Sequence, residues 1–277
     1  MIKLNLIYNN DNLNILKQIG PNIIDLIYID PPFYTGNDFG EFNDKWESID
    51  HYLSFMEVRI KEMHRILKDT GSFYCHCDTN AVFELKPLID RIFGKNNFRR
   101  EIIWNVGSVS GFKSKTKNWV RQHDNILFYT KTNKYKFNRM YLPYSEEYIK
   151  NKFVFVDENG ERYRKRRNGR QYLKDSPGIP IGDVWNDIIS FQTRTRSSEY
   201  TGYPTQKPEK LLERIILSST DLGDIVADFF CGSGTTLVVA KRLGRKFIGV
   251  DINKKAVEIS RKRIYKNISL LNWVMKD

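Results

Sequence analysis

Cysteine is scarce in this chain. Three residues among 277, Cys75, Cys77 and Cys231, cannot build a disulfide framework across that length. Cys75 and Cys77 flank a histidine in "CHCD", but one Cys-x-Cys with one His lacks the second ligand pair of a structural zinc site. The expectation is small residues on a buried strand and no metal. Long apolar runs are missing too: none approaches the roughly 20 residues of a membrane span, which sets a membrane aside as partner. The opening "MIKLNLIYNNDN" meets Asn and Asp too early for a secretory signal, so the cytoplasm is the expected compartment. Aromatics, by contrast, are plentiful at 13%, which excludes a disordered chain poor in large apolar side chains.

What the chain has in excess is positive charge, and it is unevenly placed. From Lys113 to Lys174 there are 17 Lys and Arg against 6 Asp and Glu, nearly the whole net charge of +12. Lys113, Lys115 and Lys117 open this segment. Its densest stretch is "RYRKRRNGR", with Arg162, Arg164, Lys165, Arg166, Arg167 and Arg170. A basic block interleaved with Tyr, Trp and Phe is the electrostatic footprint expected for a polyanion, most simply nucleic acid. The bland alternative is a solvated, lysine-rich surface.

"IIDLIYID" (Ile23 to Asp30) reads as a buried strand. After it, apolar residues at Ile49, Leu53, Met56, Ile60, Met63 and Leu67 keep helical spacing, closed by Gly71. "GSFYCHC" predicts a strand, "AVFELKPLIDRIFG" a helix, and "EIIWNV" and "NILFYTK" two further strands. Strands alternating with helices imply a doubly wound α/β sheet. The rhythm lapses over 131–201, a basic, Tyr-rich stretch broken by "NG", "SPGIP" and "TGYP". It resumes with a helix at "KPEKLLERIILSST", then "DIVADFF", "TTLVVAKRLG", "KFIGVDI" and a last helix at "KKAVEISRKRIYKNI". The expected organisation is one discontinuous core, 1–130 with 202–277, and an insert at 131–201.

Two loops carry the chemistry. In "DIVADFFCGSGTTLVVA" a strand runs into Gly232-Ser233-Gly234 and a helix opens at Thr235. Glycines there let the backbone turn tightly and approach a ligand, and the free amides of a helix start attract negative groups. No Lys follows Gly234, as a phosphate-gripping loop would need, and a dinucleotide site's third glycine is replaced by Leu237. What remains is an adenosine-type cofactor without a pyrophosphate. Asp251 in "FIGVD", 19 positions after Gly232, has close to the spacing of a carboxylate that bonds ribose hydroxyls. The other loop, "DPPFYTGNDF", stops a strand at Asp30, Pro31, Pro32 and Phe33.

Together these motifs resemble a known family. "DFFCGSGTT" looks like the S-adenosylmethionine motif of amino-methyltransferases, "DPPF" like their catalytic Asp/Asn/Ser-Pro-Pro-aromatic motif, and "YPTQKPEKLLERII" like the segment that precedes the cofactor motif in the permuted branch. The order matches the β class of DNA amino-methyltransferases and is most similar to adenine-N6 modification subunits of restriction–modification systems. The resemblance implies a Rossmann-like methyltransferase core in circularly permuted order, with 131–201 as target-recognition domain. It implies S-adenosyl-L-methionine as cofactor and double-stranded DNA as partner, with a homodimer and a cognate restriction endonuclease as further partners to look for. Asp228, Phe230, Cys231, Gly232, Ser233, Gly234, Thr235 and Thr236 would form the cofactor pocket. Asp251 would bind the ribose and Lys207 the methionine carboxylate.

On that resemblance the first loop becomes intelligible. An exocyclic amino nitrogen is a poor nucleophile because its lone pair is delocalised into the ring. Asp30 and the Pro31 carbonyl can accept its two hydrogens, and Asp-Pro-Pro fixes both acceptors in place. Alignment alone can contribute on the order of 7–11 kcal/mol to a barrier. Phe33, where the family most often has Tyr, would stack on the flipped base for roughly 1–3 kcal/mol. The loop "YTGNDFGEFND" is expected to fold over that base. Cytosine N4, an RNA substrate and a catalytically inactive DNA-binding homologue are the competing readings. Asp30 favours adenine, since Ser more often precedes the two prolines in cytosine enzymes.

Overall fold

The computed structural model describes residues 2–38, 44–107, 117–191 and 197–274, with side chains as far as 265. Strand β1 (Leu6–Asn9) and a short helix α1 (Asn12–Leu16) lead into β2 (Ile24–Ile29). Helix α2 (Ile49–Ile66), β3 (Leu67–Cys77), α3 (Val82–Phe93), β4 (Phe98–Asn105) and β5 (His123–Thr130) follow. A second compact unit, 139–182, holds β6 (Tyr141–Leu142), α4 (Glu146–Lys152), β7 (Phe155–Val156), β8 (Arg162–Arg166), β9 (Gly169–Tyr172) and β10 (Ile179–Pro180). The chain then returns to the first unit with β11 (Val184–Trp185), α5 (Glu209–Ser219), β12 (Ile225–Asp228), α6 (Thr235–Arg242), β13 (Lys246–Asp251) and α7 (Lys254–Val274).

The first unit is built on one sheet in the order β1-β13-β12-β2-β3-β5-β4-β11. Every residue of β2 is buried, as expected of a near-continuous apolar strand covered on both faces. Most neighbours run parallel, but β5 lies antiparallel to both β3 and β4. The sheet is therefore parallel-rich rather than wholly parallel. Strand β5 returns antiparallel along β4, with Ile102 opposite Ile126, and lies between β3 and β4.

Helix α2 is capped by Ser48, whose side chain accepts from the His51 amide at 3.1 Å, and it buries Tyr52, Met56, Ile60 and Met63. It ends at Ile66, not at Gly71. That glycine lies inside β3, where the ladder to β2 jumps from Ile24↔Leu67 to Leu26↔Ser72. A Cβ on Gly71 would stand 2.7 Å from the Leu67 side chain, so the glycine serves a bulge instead of a helix cap. Strand β1 has no counterpart in the sequence reading. It becomes a strand by pairing with β13, Leu6 opposite Ile248.

The second unit is narrower than the 131–201 insert expected from sequence. Residues on both sides of it belong to the first unit because polar side chains tie them there. The Lys136 ammonium lies 2.5 Å from Asp224, Asn138 donates to the Leu217 carbonyl at 3.1 Å, and β11 pairs with β4. Within the second unit β7, β8 and β9 form an antiparallel sheet. Its hairpin closes through "RNG", with Gly169 at φ 125°. Among the described residues no helix is long and apolar enough to cross a membrane.

Candidate active site

Strand β12 lies beside β2, with Val226 opposite Leu26 and Ala227 opposite Ile27. Residues two hundred positions apart therefore end their strands at the same edge. This is the carboxyl edge of the parallel strands, where α/β sheets bind ligands. There the loop after β2 and the loop after β12 line one cavity of about 450 Å³. Asp30, Pro31, Pro32 and Phe33 contribute from one side. Asp228, Phe230, Cys231, Gly232, Ser233, Thr235, Thr236 and Asp251 contribute from the other, and Lys207 joins them. Gly234 shapes the loop from outside the lining. It sits at φ 76° at the start of α6, where a Cβ would come within 2.4 Å of Ser260 Oγ.

The Asp30 carboxylate uses its two oxygens differently. Oδ2 receives the Lys207 ammonium, while Oδ1 is buried and has no hydrogen-bond partner among the described residues. The loop behind it is latched by a residue the sequence reading did not single out. The buried Asp44 carboxylate accepts from the amides of Phe33, Tyr34 and Thr35 at 3.2, 3.0 and 2.9 Å. It also takes the Thr35 hydroxyl at 2.7 Å and the Trp46 indole at 3.0 Å. Tyr52 donates to the Pro32 carbonyl at 2.8 Å. Residues 39–43 of the loop expected to cover the base lie outside the described residues.

Across the cavity, Asp251 accepts from the Gly232 and Asn253 amides, each at 2.8 Å. Asp228 accepts from the Thr236 hydroxyl at 2.6 Å and the Phe230 amide at 3.1 Å. Burial pushes the Asp228 carboxyl up to about 7. The Thr236 and Phe230 bonds relieve this in part, and the charges of Asp30 and Asp251 add to it. Burial also raises Asp251 and keeps the Cys231 thiol protonated, which leaves that cysteine a packing residue. Helix α7 braces the glycine loop. Ser260 donates to the Gly232 carbonyl at 2.8 Å, and Arg263 donates to the Ser233 carbonyl, the Thr235 hydroxyl and Glu209, each at 2.9 Å.

Four carboxylates around one cavity, Asp30, Asp44, Asp228 and Asp251, beside a loop held open by two positive-φ glycines, suit a small ligand that is itself cationic. S-adenosylmethionine, with its sulfonium and ammonium charges, fits such a site. The sequence reading assigned Lys207 to the donor's carboxylate, and the structure gives it Asp30 as a partner that reading did not foresee. The ammonium also stands 5.5 Å from the Phe33 ring centre.

Of the expected DNA-binding residues, Lys113 and Lys115 lie outside the described residues, and Lys117 is exposed. In the second unit Arg162, Lys165, Arg166, Arg167 and Arg170 are exposed. Arg164 is not free: its guanidinium donates to Gln171 and to Tyr148, both at 2.9 Å, and lies 4.9 Å from the Phe153 ring centre. Part of the charge counted in sequence is neutralised in the first unit, Arg121 by Asp78 and Asp124 and Lys136 by Asp221 and Asp224.

A parallel-rich sheet with a glycine loop and strand-end acids at its carboxyl edge defines a Rossmann-like transferase core. The chain matches the DNA methylase family (N6/N4 methyltransferases) over residues 24–262, and it belongs to that family. It is 35% identical over 263 residues to DNA adenine methyltransferase YhdJ of Escherichia coli (strain K12), covering 93% of this chain and 82% of YhdJ. It is 33% identical over 265 residues to Type II methyltransferase M.BglII of Bacillus subtilis, covering 93% and 68%. The solved PvuII DNA methyltransferase (cytosine-N4-specific) shares the fold at a TM-score of 0.61 and 20% identity, covering 93% and 85%.

Proposed function

We propose that this DNA methyltransferase moves a methyl group from S-adenosyl-L-methionine to the exocyclic N6 of an adenine flipped out of duplex DNA. The observation that carries the reading is Asp30, whose buried Oδ1 has no partner among the described residues, at the end of a proline-fixed loop that lines the same cavity as the glycine loop. An unpaired buried acceptor is costly unless a donor arrives, and an amino group supplies one. Asp30 Oδ1 and the Pro31 carbonyl would each take one amino hydrogen, which returns lone-pair density to the nitrogen. The proton shed by the amino group would leave toward Asp30. Phe33 would hold the base by its face. The bound donor supplies an electrophilic methyl. Asp251 would hold its ribose, the Gly232 to Thr236 loop with Asp228 and Phe230 would seat the rest, and Lys207 would be shared between Asp30 and the donor's carboxylate.

The unit 139–182 is proposed to recognise the target sequence, with Lys117 and the exposed arginines of β8 and β9 on the DNA phosphates. The likeness to YhdJ, an adenine methyltransferase by name, supports adenine. The likeness to M.BglII, a Type II methyltransferase by name, supports a modification role; a cytoplasmic setting, a cognate restriction endonuclease and a homodimer belong to the same proposal. Tritiated donor with DNA from a methylation-free host, followed by nucleoside analysis, tests this. Label in 6-methyladenine is expected; 4-methylcytosine, or no label, would overturn it.

A further inference from the structure

His76 lies between the two cysteines of "CHC", a pattern set aside above as part of a buried strand. It is fully buried, and both ring nitrogens are in use: Nδ1 meets the Tyr28 hydroxyl at 2.8 Å, and Nε2 meets Asp124 at 3.2 Å. Cys75 and Cys77 belong to the hydrophobic core, whereas the imidazole meets a different set of neighbours. Asp124 is in turn held by Arg121, whose other guanidinium nitrogen reaches Asp78 at 3.0 Å. The Trp104 indole stands edge-on to the imidazole at 5.7 Å and 88°. Tyr28, His76, Asp124 and Trp104 come from β2, β3, β5 and β4, so four adjacent strands each lend one side chain to this cluster.

What the cluster presents is a ring face. Phe33 lies against the imidazole with ring centroids 6.0 Å apart and planes 22° from parallel. A buried histidine with two satisfied nitrogens is most often only a satisfied core residue, and a phenylalanine would fill the same space. The two polar anchors do something that packing alone does not: they fix the rotation of the ring in its own plane and the tilt of its face. Asp124, an ionised acceptor, requires a proton on Nε2, which leaves Nδ1 to the Tyr28 hydroxyl.

We propose that His76 is a positioning residue for methyl transfer, holding the Phe33 ring at the tilt that receives the flipped base. The proposal rests on the reading of Phe33 as the stacking face. It belongs to the strands beneath the loop, whereas Asp44 fixes the loop backbone. A displaced stacking face misaligns the amino group without removing any group that touches it, so kcat should fall while KM for DNA changes little.

A double-mutant cycle tests this in the full-length protein. His76→Asn is expected to lower kcat roughly ten- to a hundred-fold, the penalty of a small misplacement. Affinity for the donor, measured by calorimetry, should be unchanged. With 2-aminopurine at the target position, fluorescence of the complex should rise as stacking loosens. In a Phe33→Ala background the same change should cost less than about two-fold, because the residue it acts through is gone. Losses that multiply in the double variant, or full activity in His76→Asn, would overturn the proposal. Full activity in Phe33→Ala alone would instead show that the stacking assignment is wrong and remove the basis of the proposal with it. Should His76→Asn fail to fold, His76→Phe keeps the ring and loses only the anchors. It should show a smaller kcat loss that likewise vanishes beside Phe33→Ala, and persistence of that loss would count against the proposal.

Discussion

Asp30 gives one oxygen to Lys207, and its other oxygen is buried with no partner among the described residues. Asp30→Ala should therefore leave donor and DNA binding largely intact and lower turnover by at least about a hundred-fold, because its bonds matter most in the transition state. Single-turnover kinetics beside calorimetry would check this, and full activity would refute the role. Asp228 gives a pH signature. Its carboxyl rises from 3.8 to about 7 on folding, so between these values the folded state holds a proton that the unfolded chain has released. Stability without ligand should fall as pH rises through that window, with the full cost above pH 7. Asp228→Asn should flatten that slope and stabilise the protein at pH 8 by at most about 4 kcal/mol, with little gain near pH 4, as urea unfolding at each pH would show. Asp30, Asp228 and Asp251 were legible in the sequence because each closes an apolar strand, Asp30 directly before two prolines and Asp228 four residues before Gly232. Asp44 and the His76 cluster were not. Asp44 stands in a polar loop like any solvated acid, and His76 finds Asp124 48 positions away, a distance no local pattern spans.

At the scale of elements, the glycine loop depends on a helix that follows it. Arg263 on α7 is mostly buried and bonds two loop residues and Glu209 at once. Arg263→Ala leaves Glu209 with only the half-exposed Arg242 as partner and frees two loop acceptors, so a loss of about 2 kcal/mol of stability is expected from unfolding measurements. Donor affinity should weaken at least about ten-fold by calorimetry, since loop and brace move together. Gly234→Ala should weaken donor binding and also cost stability: at φ 76° with Ser260 Oγ in the way, the residue cannot take a side chain unless the loop shifts. Helices and buried strands were readable from period and punctuation. The sense of β5 was not, because direction depends on the connection rather than on the strand's own residues. Nor was β1, whose four residues become a strand only against β13. The end of α2 was misplaced for a related reason, since Gly71 answers to a bulge against β2 and not to the helix before it.

For the whole molecule, charge and connectivity decide the outcome. Reversing two of the exposed arginines on β8 and β9, for example Arg162→Glu with Arg170→Glu, should weaken DNA binding and reduce the slope of log affinity against log salt by about 0.9 for each phosphate no longer neutralised. Titrations at several salt concentrations would show it, and unchanged affinity would mean that this strand pair does not face DNA. The sheet itself carries a further consequence. Strands β12 and β13 lie between β1 and β2, although both are made last. A growing polypeptide thus exposes its reactive loop first and lacks the neighbour that completes it for nearly two hundred more residues. At common translation rates that interval is roughly ten to forty seconds. Until then the centre of the sheet has an open seam, and the cavity lacks the glycine loop and Asp251.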